Sequence, residues 1–298
     1  MTLLRAFLAN LRPRQWTKNL LLFAGVIFAQ KLGHPACVLR AVAGAAVFCF
    51  ASGVIYVFND IVDRDLDRQH PHKRLRPIAS GRLPVGYAAR AGAALLGLVL
   101  AASALLGVAF LGGVVFFFTW NWLYTRILKH VKVLDVTGIG MSFVIRATCG
   151  VLVLLPACAD VSISPWLLLC TFFLSLFLGF CKRRDELLKM VPGGAETRPA
   201  LRGYSEPMLN ALIGGSFALT AMAYALYTVW PDTVRHFGTR NLVYTLPFVL
   251  LGMGRYLYLV FLEDRGGRPH EILLVDKLLQ AIVVAWVVAA IRIIGPGH

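Results

Sequence analysis

Apolar runs of about twenty residues recur along almost the whole chain, and a run of that length can cross the hydrocarbon core of a bilayer as a helix. The composition agrees, because 58% of the 298 residues are hydrophobic and only 15% are charged. The mean hydropathy is +0.70. The sequence therefore predicts an all-α integral membrane protein.

The runs predict nine transmembrane helices in one domain that covers residues 1–298. The first predicted helix is short and follows a basic, amphipathic start, and only a turn near Gly107 separates the third from the fourth. The predicted helices are residues 15–31, 36–65, 86–106, 109–128, 133–156, 163–185, 206–230, 240–262 and 272–294.

Basic residues predict the orientation of this bundle. Lysine and arginine outnumber the acids 30 to 15, but they cluster between the apolar runs, which argues against a nucleic-acid partner. Counted in the connections and at the helix ends beside them, 21 basic residues lie on one side and 3 on the other. The positive-inside rule makes the richer side, with the N-terminus, cytoplasmic, so we expect a protein of the bacterial inner membrane. Twelve of the 15 acids lie on that side too, which favours a polar active site facing the cytoplasm.

The densest group of charges follows the second apolar run, between Tyr56 and Leu83, and reads YVFNDIVDRDLDRQHPHKRLRPIASGRL. Its first half holds four acids within eight residues, and its second half is basic and contains prolines and a glycine. Such a stretch is typical of a site for a metal ion and phosphate. The alternative is a solvated, charged helix end just outside the membrane.

Helical spacing brings most of these acids to one face. With Asn59 at zero, an α-helix places Asp63 near about 40°, Asp67 near about 80° and Asp60 near about 100°. Asp65 falls near about 240° and points elsewhere. Oxygen ligands that are few in number suit Mg²⁺, which keeps water ligands and takes substrate phosphates.

A second charged group lies between Tyr124 and Gly150. Asp135 opens the next predicted helix, and Arg146 stands eleven residues deeper. An arginine at that depth is costly and is a functional candidate; the alternative is a snorkelling or structurally paired arginine. Tyr124 and Lys129 close the preceding helix and face the same connection.

A third charged group, FCKRRDELLKM, closes the sixth predicted helix. Lys182 and Glu186 are four residues apart and share a helical face, which also fits a plain surface ion pair. The following loop is long enough to act as a lid, and its Arg198 and Arg202 are candidates for bidentate phosphate binding.

The six cysteines are scattered, mostly in apolar runs, and we expect them to serve packing. Their spacing to histidines does not fit a zinc site. The chain also lacks a P-loop, a GxSxG elbow, an HExxH motif and a Rossmann fingerprint.

Two motifs carry a family resemblance. NDIVDRDLD at 59–67 followed by RPIASG at 76–81 resembles the first aspartate-rich motif of the UbiA superfamily of intramembrane prenyltransferases. Other stretches are similar to one branch of that superfamily, which transfers phosphoribosyl groups to polyprenyl phosphates of the decaprenyl type. These stretches are RPRQWTKN at 12–19, LKHVKVLDVTGIGMSFVIRATCG at 128–150, CKRRDEL at 181–187, ETRPALRGYS at 196–205 and DKLLQAIVVAW at 276–286.

The resemblance implies a UbiA-like bundle and an Mg²⁺-dependent reaction. A phosphoribosyl group would pass from phosphoribosyl pyrophosphate to a polyprenyl phosphate, and a homo-oligomer is compatible with this activity. The implied metal ligands are Asn59, Asp63 and Asp67, and the implied catalytic acids are Asp60, Asp63 and Asp67. The implied substrate-binding residues are Lys18, Lys73, Arg76, Tyr124, Lys129, Asp135, Arg146, Lys182, Glu186 and Arg198.

One departure from the wider superfamily favours this branch. Relatives that prenylate aromatic acceptors carry a second aspartate-rich motif where this chain has the basic CKRRDEL. The alternative function is nevertheless prenyl transfer from a polyprenyl diphosphate to an aromatic or other acceptor. A non-catalytic lipid-phosphate or ion transporter is a third alternative, which the gathered acids disfavour.

Overall fold

The structure is a computed structural model that describes residues 2–69, 73–189, 199–263, 272 and 275–294. Within those ranges the regular elements are helical and no β-strand occurs, so the all-α prediction is confirmed there. The α-helices are α1 (Leu3–Asn10), α2 (Phe23–Phe28), α3 (Pro35–Val62), α4 (Arg64–Gln69), α5 (Val85–Leu106), α6 (Val108–Arg126), α7 (Leu134–Leu152), α8 (Pro165–Leu188), α9 (Glu206–Val229), α10 (Pro231–Phe237), α11 (Leu246–Phe261) and α12 (Lys277–Ile294). Short 3₁₀ helices are Pro13–Leu22, Lys73–Leu75, Leu128–His130, Pro199–Gly203 and Asn241–Thr245.

Eight helical stretches of the described chain are long and apolar enough to cross a membrane. They coincide with the last eight predicted helices, so those predictions are confirmed. These stretches are Pro35–Val62, Val85–Leu106, Val108–His130, Leu134–Leu152, Pro165–Leu188, Glu206–Val229, Asn241–Phe261 and Lys277–Ile294.

The first predicted helix, residues 15–31, takes a different form. Pro13–Leu22 is a 3₁₀ helix, and the six-residue α2 follows it directly. The backbone here packs unusually closely on α7, because a Cβ added to Gly150 would lie 2.2 Å from the Leu22 carbonyl oxygen. A Cβ on Gly25 would likewise lie 2.3 Å from the Gly150 carbonyl oxygen. Hydropathy alone predicts a span but carries no information about such backbone contacts.

Local sequence explains where the later helices begin and turn. Ser164 and Ser205 cap the N-termini of α8 and α9, each accepting a hydrogen bond from a backbone N–H three residues on. Gly107 makes the predicted tight turn between α5 and α6 with a φ of 131°, a conformation that a side chain would strain.

The chain divides into two compact units. The first runs from the N-terminus to Ile163, and the second takes most of the chain from Ser164 onward. In the first unit, the ring of Phe48 lies 5.9 Å from Phe110 and 5.0 Å from Phe117, centroid to centroid. In the second unit, Phe177 packs edge-on against Tyr256 at 5.7 Å. The assignment of residues 1–298 to one domain stays a prediction.

Two cysteines form a disulfide, so the expectation that all six serve packing is wrong for this pair. Cys37 and Cys158 are bonded, with their Cα atoms 6.6 Å apart. They are separated by 121 positions in the sequence, and scattered cysteines do not reveal their pairing. Nearby, Lys31 donates a hydrogen bond to Asp160 at 2.6 Å, which holds the pKa of that carboxyl below its ordinary value.

Candidate active site

The acid-rich stretch forms two helices that meet at Asp63. α3 ends at Val62, Asp63 follows with φ −86° and ψ 5°, and α4 begins at Arg64. The N–H of Asp63 donates to the Asn59 carbonyl at 2.8 Å, and the N–H of Asp67 donates to the Asp63 carbonyl at 2.8 Å. The sequence predicts one continuous helix through these acids, whereas the structure has a break at Asp63. The backbone hydrogen bonds from residue i to residue i−4 nevertheless continue across this break.

Asp60 and Asp67 are buried and paired with arginines. Nη1 of Arg76 donates to Asp67 Oδ2 at 2.6 Å and to Asp60 Oδ1 at 3.1 Å. Nη2 of Arg12 donates to the same Asp60 oxygen at 2.5 Å. The two carboxylates are only 3% and 4% exposed, so the arginines supply the counter-charge that burial requires. Arg76 thus joins both acids to the loop that contains it.

Asn59 and Asp63 lie in a more open part of the site. Thr125, on α6, donates to the Asn59 side-chain oxygen at 3.2 Å. Nζ of Lys129 lies 3.5 Å from Asp63 Oδ1, and both side chains keep over a quarter of their surface exposed. The C-terminal end of α6 and the turn after it therefore face the end of α3.

The donors in this stretch fit Mg²⁺ better than a softer metal. Among the described residues, no three Asp, Glu, His or Cys side chains are arranged to hold a metal ion. An ion here would therefore also use the amide oxygen of Asn59 and oxygens from substrate phosphate or water, as Mg²⁺ commonly does. Asp60 Oδ2 is a further buried oxygen without a hydrogen-bond partner.

The 3₁₀ helix Pro13–Leu22 lies beside the acids. Its Gln15 side-chain oxygen accepts hydrogen bonds from the Tyr56 hydroxyl at 2.9 Å and from Lys18 Nζ at 3.3 Å. The guanidinium of Arg12, just before this helix, stacks 4.7 Å from the centre of the Tyr56 ring. Lys18 is thereby placed on the same segment as the arginine that pairs with Asp60.

Arg146 is buried deeper, on α7. Its Nε donates to Asn19 Oδ1 at 3.0 Å, its Nη1 to the Ser142 carbonyl at 2.8 Å and its Nη2 to Ser52 Oγ at 3.5 Å. The guanidinium also lies 4.7 Å from the centre of the Phe117 ring. Its assignment as a substrate-binding residue stays a prediction.

The remaining predicted residues of the first unit have varied surroundings. Tyr124 packs against Gly138, where an added Cβ would lie 2.7 Å from the tyrosine ring. Asp135 is fully buried in the first turn of α7. Lys73 opens the 3₁₀ helix Lys73–Leu75 and is half-buried, and its carbonyl accepts the N–H of Arg76 at 2.9 Å.

The basic end of α8 is rich in ion pairs. Lys182 and Glu186 share a face, as their spacing predicts, with Nζ 3.8 Å from Oε1. Arg183 Nη1 lies 2.5 Å from the other Glu186 oxygen. Arg184 pairs with Glu206 at 2.7 Å. Lys189 pairs with Asp185 at 2.5 Å, so all four cations of this group have acidic partners in the second unit. Arg198 lies outside the described residues.

Sequence reasoning missed several polar residues of the site. They are Arg12, Gln15, Asn19, Tyr56 and Thr125. The first three lie in RPRQWTKN, where three cations precede or open an apolar run, but that pattern also follows from the positive-inside rule.

Comparison with known proteins identifies the family. A model of the UbiA prenyltransferase family matches residues 19–271. The decaprenyl-phosphate phosphoribosyltransferase of Corynebacterium glutamicum is 34% identical over 283 residues, which cover 93% of this chain and 83% of that protein. The protein of the same name from Mycolicibacterium smegmatis is 30% identical, covering 96% of this chain and 91% of its own.

Solved structures agree on the fold. A UbiA homolog from Archaeoglobus fulgidus, bound to GPP and Mg²⁺, has a TM-score of 0.72 at 19% identity and covers 97% of this chain and 99% of its own. A digeranylgeranylglyceryl phosphate synthase has a TM-score of 0.68 at 21% identity, covering 98% of this chain and 100% of its own. The family match spans most of the chain and the helical fold agrees with it, so this chain belongs to the UbiA prenyltransferase family.

Proposed function

We propose that this protein transfers a 5-phosphoribosyl group from phosphoribosyl pyrophosphate to a polyprenyl phosphate and releases pyrophosphate. The observation that carries the proposal is the similarity to two proteins named decaprenyl-phosphate phosphoribosyltransferase, at 30–34% identity over more than nine-tenths of this chain. The charges near the end of α3 support it, because both substrates and the released product are multiply charged anions.

The donor pyrophosphate is assigned to the end of α3. Asn59, Asp63 and Asp67 would hold Mg²⁺, which neutralises charge on the leaving pyrophosphate when it is bound. Asp60 would act through its pairing with Arg12 and Arg76, which keeps the end of α3 and the following loop together. Lys129, whose Nζ lies 3.5 Å from Asp63 Oδ1, is placed to meet an anion bound there.

The reaction exchanges one bond for another at C1 of the ribose. The bond from C1 to the pyrophosphate oxygen breaks, and a bond from C1 to an oxygen of the lipid phosphate forms. That nucleophile is already ionised near neutral pH, so the reaction does not require a general base. We assign anion binding to Lys18, Lys73 and Lys129 here and to Lys182 at the end of α8, with Glu186 as the acid that pairs with Lys182. Arg198, in the loop that follows α8 in the sequence, is assigned to phosphate binding as well. Tyr124 and Asp135 would shape the wall beside Lys129.

The protein spans a membrane, and we assign its N-terminus and the acidic end of α3 to the cytoplasmic side of the bacterial inner membrane. The distribution of basic residues supports this orientation. The disulfide supports it too, because Cys37 lies at the opposite end of α3 from Asn59 and disulfides persist in oxidising surroundings.

A reconstituted assay tests the function. Purified protein in lipid nanodiscs receives Mg²⁺, labelled phosphoribosyl pyrophosphate and a polyprenyl phosphate. We expect labelled lipid and one pyrophosphate per lipid formed. Absence of labelled lipid, together with prenylation of 4-hydroxybenzoate by geranyl diphosphate, would assign the protein to prenyl transfer instead. Movement of substrate into proteoliposomes without chemical change would assign it to transport.

A further inference from the structure

Arg146 carries a buried positive charge. Its residue exposure is 6%, and no carboxylate pairs with it among the residues that the structure describes. It lies eleven residues beyond Asp135 in α7, which is about 16 Å along a helix axis. A charge at such depth is expensive unless its surroundings compensate it. The contacts of Arg146 should therefore show which groups compensate this buried charge and what role the residue has.

Those contacts converge on Asn19. Asn19 is 1% exposed, and its side-chain oxygen accepts from Arg146 Nε at 3.0 Å. The same oxygen accepts from Ser52 Oγ at 3.4 Å, and the Asn19 amide donates to Cys49 Sγ at 3.4 Å. One amide thus contacts α7 and α3 at once.

A second residue of α7 contacts the 3₁₀ helix Pro13–Leu22, which contains Asn19. Gly150 lies one helical turn further along α7, and its Cα approaches the Leu22 carbonyl too closely to allow a side chain. Asn19 and Leu22 are the two buried residues of Pro13–Leu22. The helix therefore rests on α7 through a guanidinium contact and a backbone contact, one turn apart.

The N-terminal part of this 3₁₀ helix contacts the residues of the acidic site. Gln15 binds the Tyr56 hydroxyl, and Arg12, at the N-terminal boundary, binds Asp60. A 3₁₀ helix of ten residues is unusually long, because its hydrogen bonds are poorer than those of an α-helix. Its position must then come from tertiary contacts.

We propose that Arg146 and Asn19 are positioning residues that fix the 3₁₀ helix Pro13–Leu22, and through it Arg12 and Lys18, against the acidic end of α3. The guanidinium fork suits this role, because it reaches Asn19, Ser52 and its own helix at fixed angles. Two aromatic rings, of Phe117 and Phe143, lie within 4.7 Å and 5.5 Å of the guanidinium carbon and help to stabilise the buried charge. The catalytic consequence rests on the proposed phosphoribosyl transfer.

A first experiment measures position without using the reaction. Hydrogen exchange is followed by mass spectrometry in peptides covering residues 13–22, for the wild type, Arg146→Met and Asn19→Ala. Arg40→Met is the matched control, because Arg40 also lies in a membrane helix and donates to backbone carbonyls, of Val153 and Leu106. We expect faster exchange in both test variants and no change in that segment for the control.

A second experiment measures the catalytic consequence in the same folded preparations. We expect Arg146→Met and Asn19→Ala each to lower kcat/KM for phosphoribosyl transfer about 10- to 100-fold, as loss of a residue that holds a binding group in place commonly does. The double variant should be no worse than the poorer single variant, since both remove one interaction. Arg146→Lys should recover only part of the lost kcat/KM, because the lysine ammonium lacks the planar set of donors that the guanidinium provides.

The outcomes distinguish a positioning role of Arg146 from direct binding of an anion. Unchanged exchange in residues 13–22 would overturn the positioning role, and lost activity with unchanged exchange would make Arg146 a direct anion ligand instead. Losses of kcat/KM that multiply in the double variant would also contradict the positioning role. If the wild type forms no phosphoribosyl lipid, the proposed function fails, while the exchange measurement still decides whether Arg146 and Asn19 position the segment.

Discussion

Nη1 of Arg76 lies 2.6 Å from Asp67 Oδ2, and the same nitrogen lies 3.1 Å from Asp60 Oδ1. One atom therefore neutralises two acids that belong to different helices. Because both carboxylates are buried, losing this nitrogen would leave two charges without a shared donor.

Replacing Arg76 should therefore cost both stability and activity. We expect Arg76→Met to lower the free energy of unfolding by about 1.5–3 kcal/mol, the usual value of hydrogen bonds to charged groups. Thermal unfolding in detergent measures this change. Arg74→Met, at an exposed neighbouring position, should have little effect. A similar melting temperature for both variants would mean that Arg76 does not hold the acids together.

Asp63 should be essential to activity but not to folding. Its carboxylate is 29% exposed and lies 3.5 Å from the partly exposed Lys129, so breaking this contact disrupts no buried pair. We expect Asp63→Asn to reduce kcat about 100-fold or more, since it removes charge stabilisation of the leaving group. The melting temperature should stay near that of the wild type.

Asp65→Asn is the matched control for that change. Asp65 lies in the same stretch, but its side chain is 75% exposed and pairs with the nearby Arg64 and Arg68. We expect full activity from this variant at all Mg²⁺ concentrations. Equal activity of the two asparagine variants would contradict the assignment of Asp63 to the metal.

Lys129 should affect substrate binding more than stability. Its contact with Asp63 is long and partly exposed, and such pairs contribute little to folding. An anionic donor would gain a charge-assisted hydrogen bond from it, so Lys129→Met should raise KM for phosphoribosyl pyrophosphate about tenfold. Lys132→Met, at an exposed position on the same connection, is the control. An unchanged KM in steady-state kinetics would remove Lys129 from the donor site.

Hydropathy and residue type could predict the transmembrane helices and the acid-rich stretch. Apolar length decides where a helix can span, so eight predicted helices coincide with structural ones. The gathering of Asn59, Asp60 and Asp63 at one helix end follows from their spacing. These features are local, and local patterns are what a single sequence records.

Tertiary pairing could not be predicted in the same way. Arg12 looks like any other positive-inside residue, and only the folded chain brings it to Asp60 across 48 positions. The sequence does not mark Asn19 as a site residue, because a single amide beside an apolar run is also typical of an ordinary helix end. Its importance comes from α7, whose Arg146 is 127 positions away.

The close backbone contact at Gly150 predicts a strong effect of one methyl group. Gly150→Ala would place Cβ 2.2 Å from the Leu22 carbonyl oxygen, which cannot rotate away. We expect a loss of about 1–3 kcal/mol in the free energy of unfolding, as for overpacked cores. Gly112→Ala is the control, because nothing lies within 4 Å of its Cβ. Equal melting temperatures for the two variants would show that the 3₁₀ helix is not packed on α7.

The disulfide provides a test of membrane orientation. Cys37 lies in the first turn of α3 and Asn59 in its last, so the two are about 33 Å apart along the helix axis. That distance exceeds the hydrocarbon thickness of about 30 Å, which puts the disulfide and the acidic end on opposite faces of the membrane. If the acidic end is cytoplasmic, the cysteines meet the oxidising side.

We therefore expect Cys37 and Cys158 to be oxidised in the protein as isolated from cells. In SDS without reductant, a polyethylene-glycol maleimide should add to the four remaining cysteines, Cys49, Cys149, Cys170 and Cys181, and each addition is visible as a gel shift. After reduction all six cysteines should react. The Cys37→Ser/Cys158→Ser variant should give four additions in both conditions. Six additions without reductant would contradict the disulfide, and with it the support that it gives to a cytoplasmic active site.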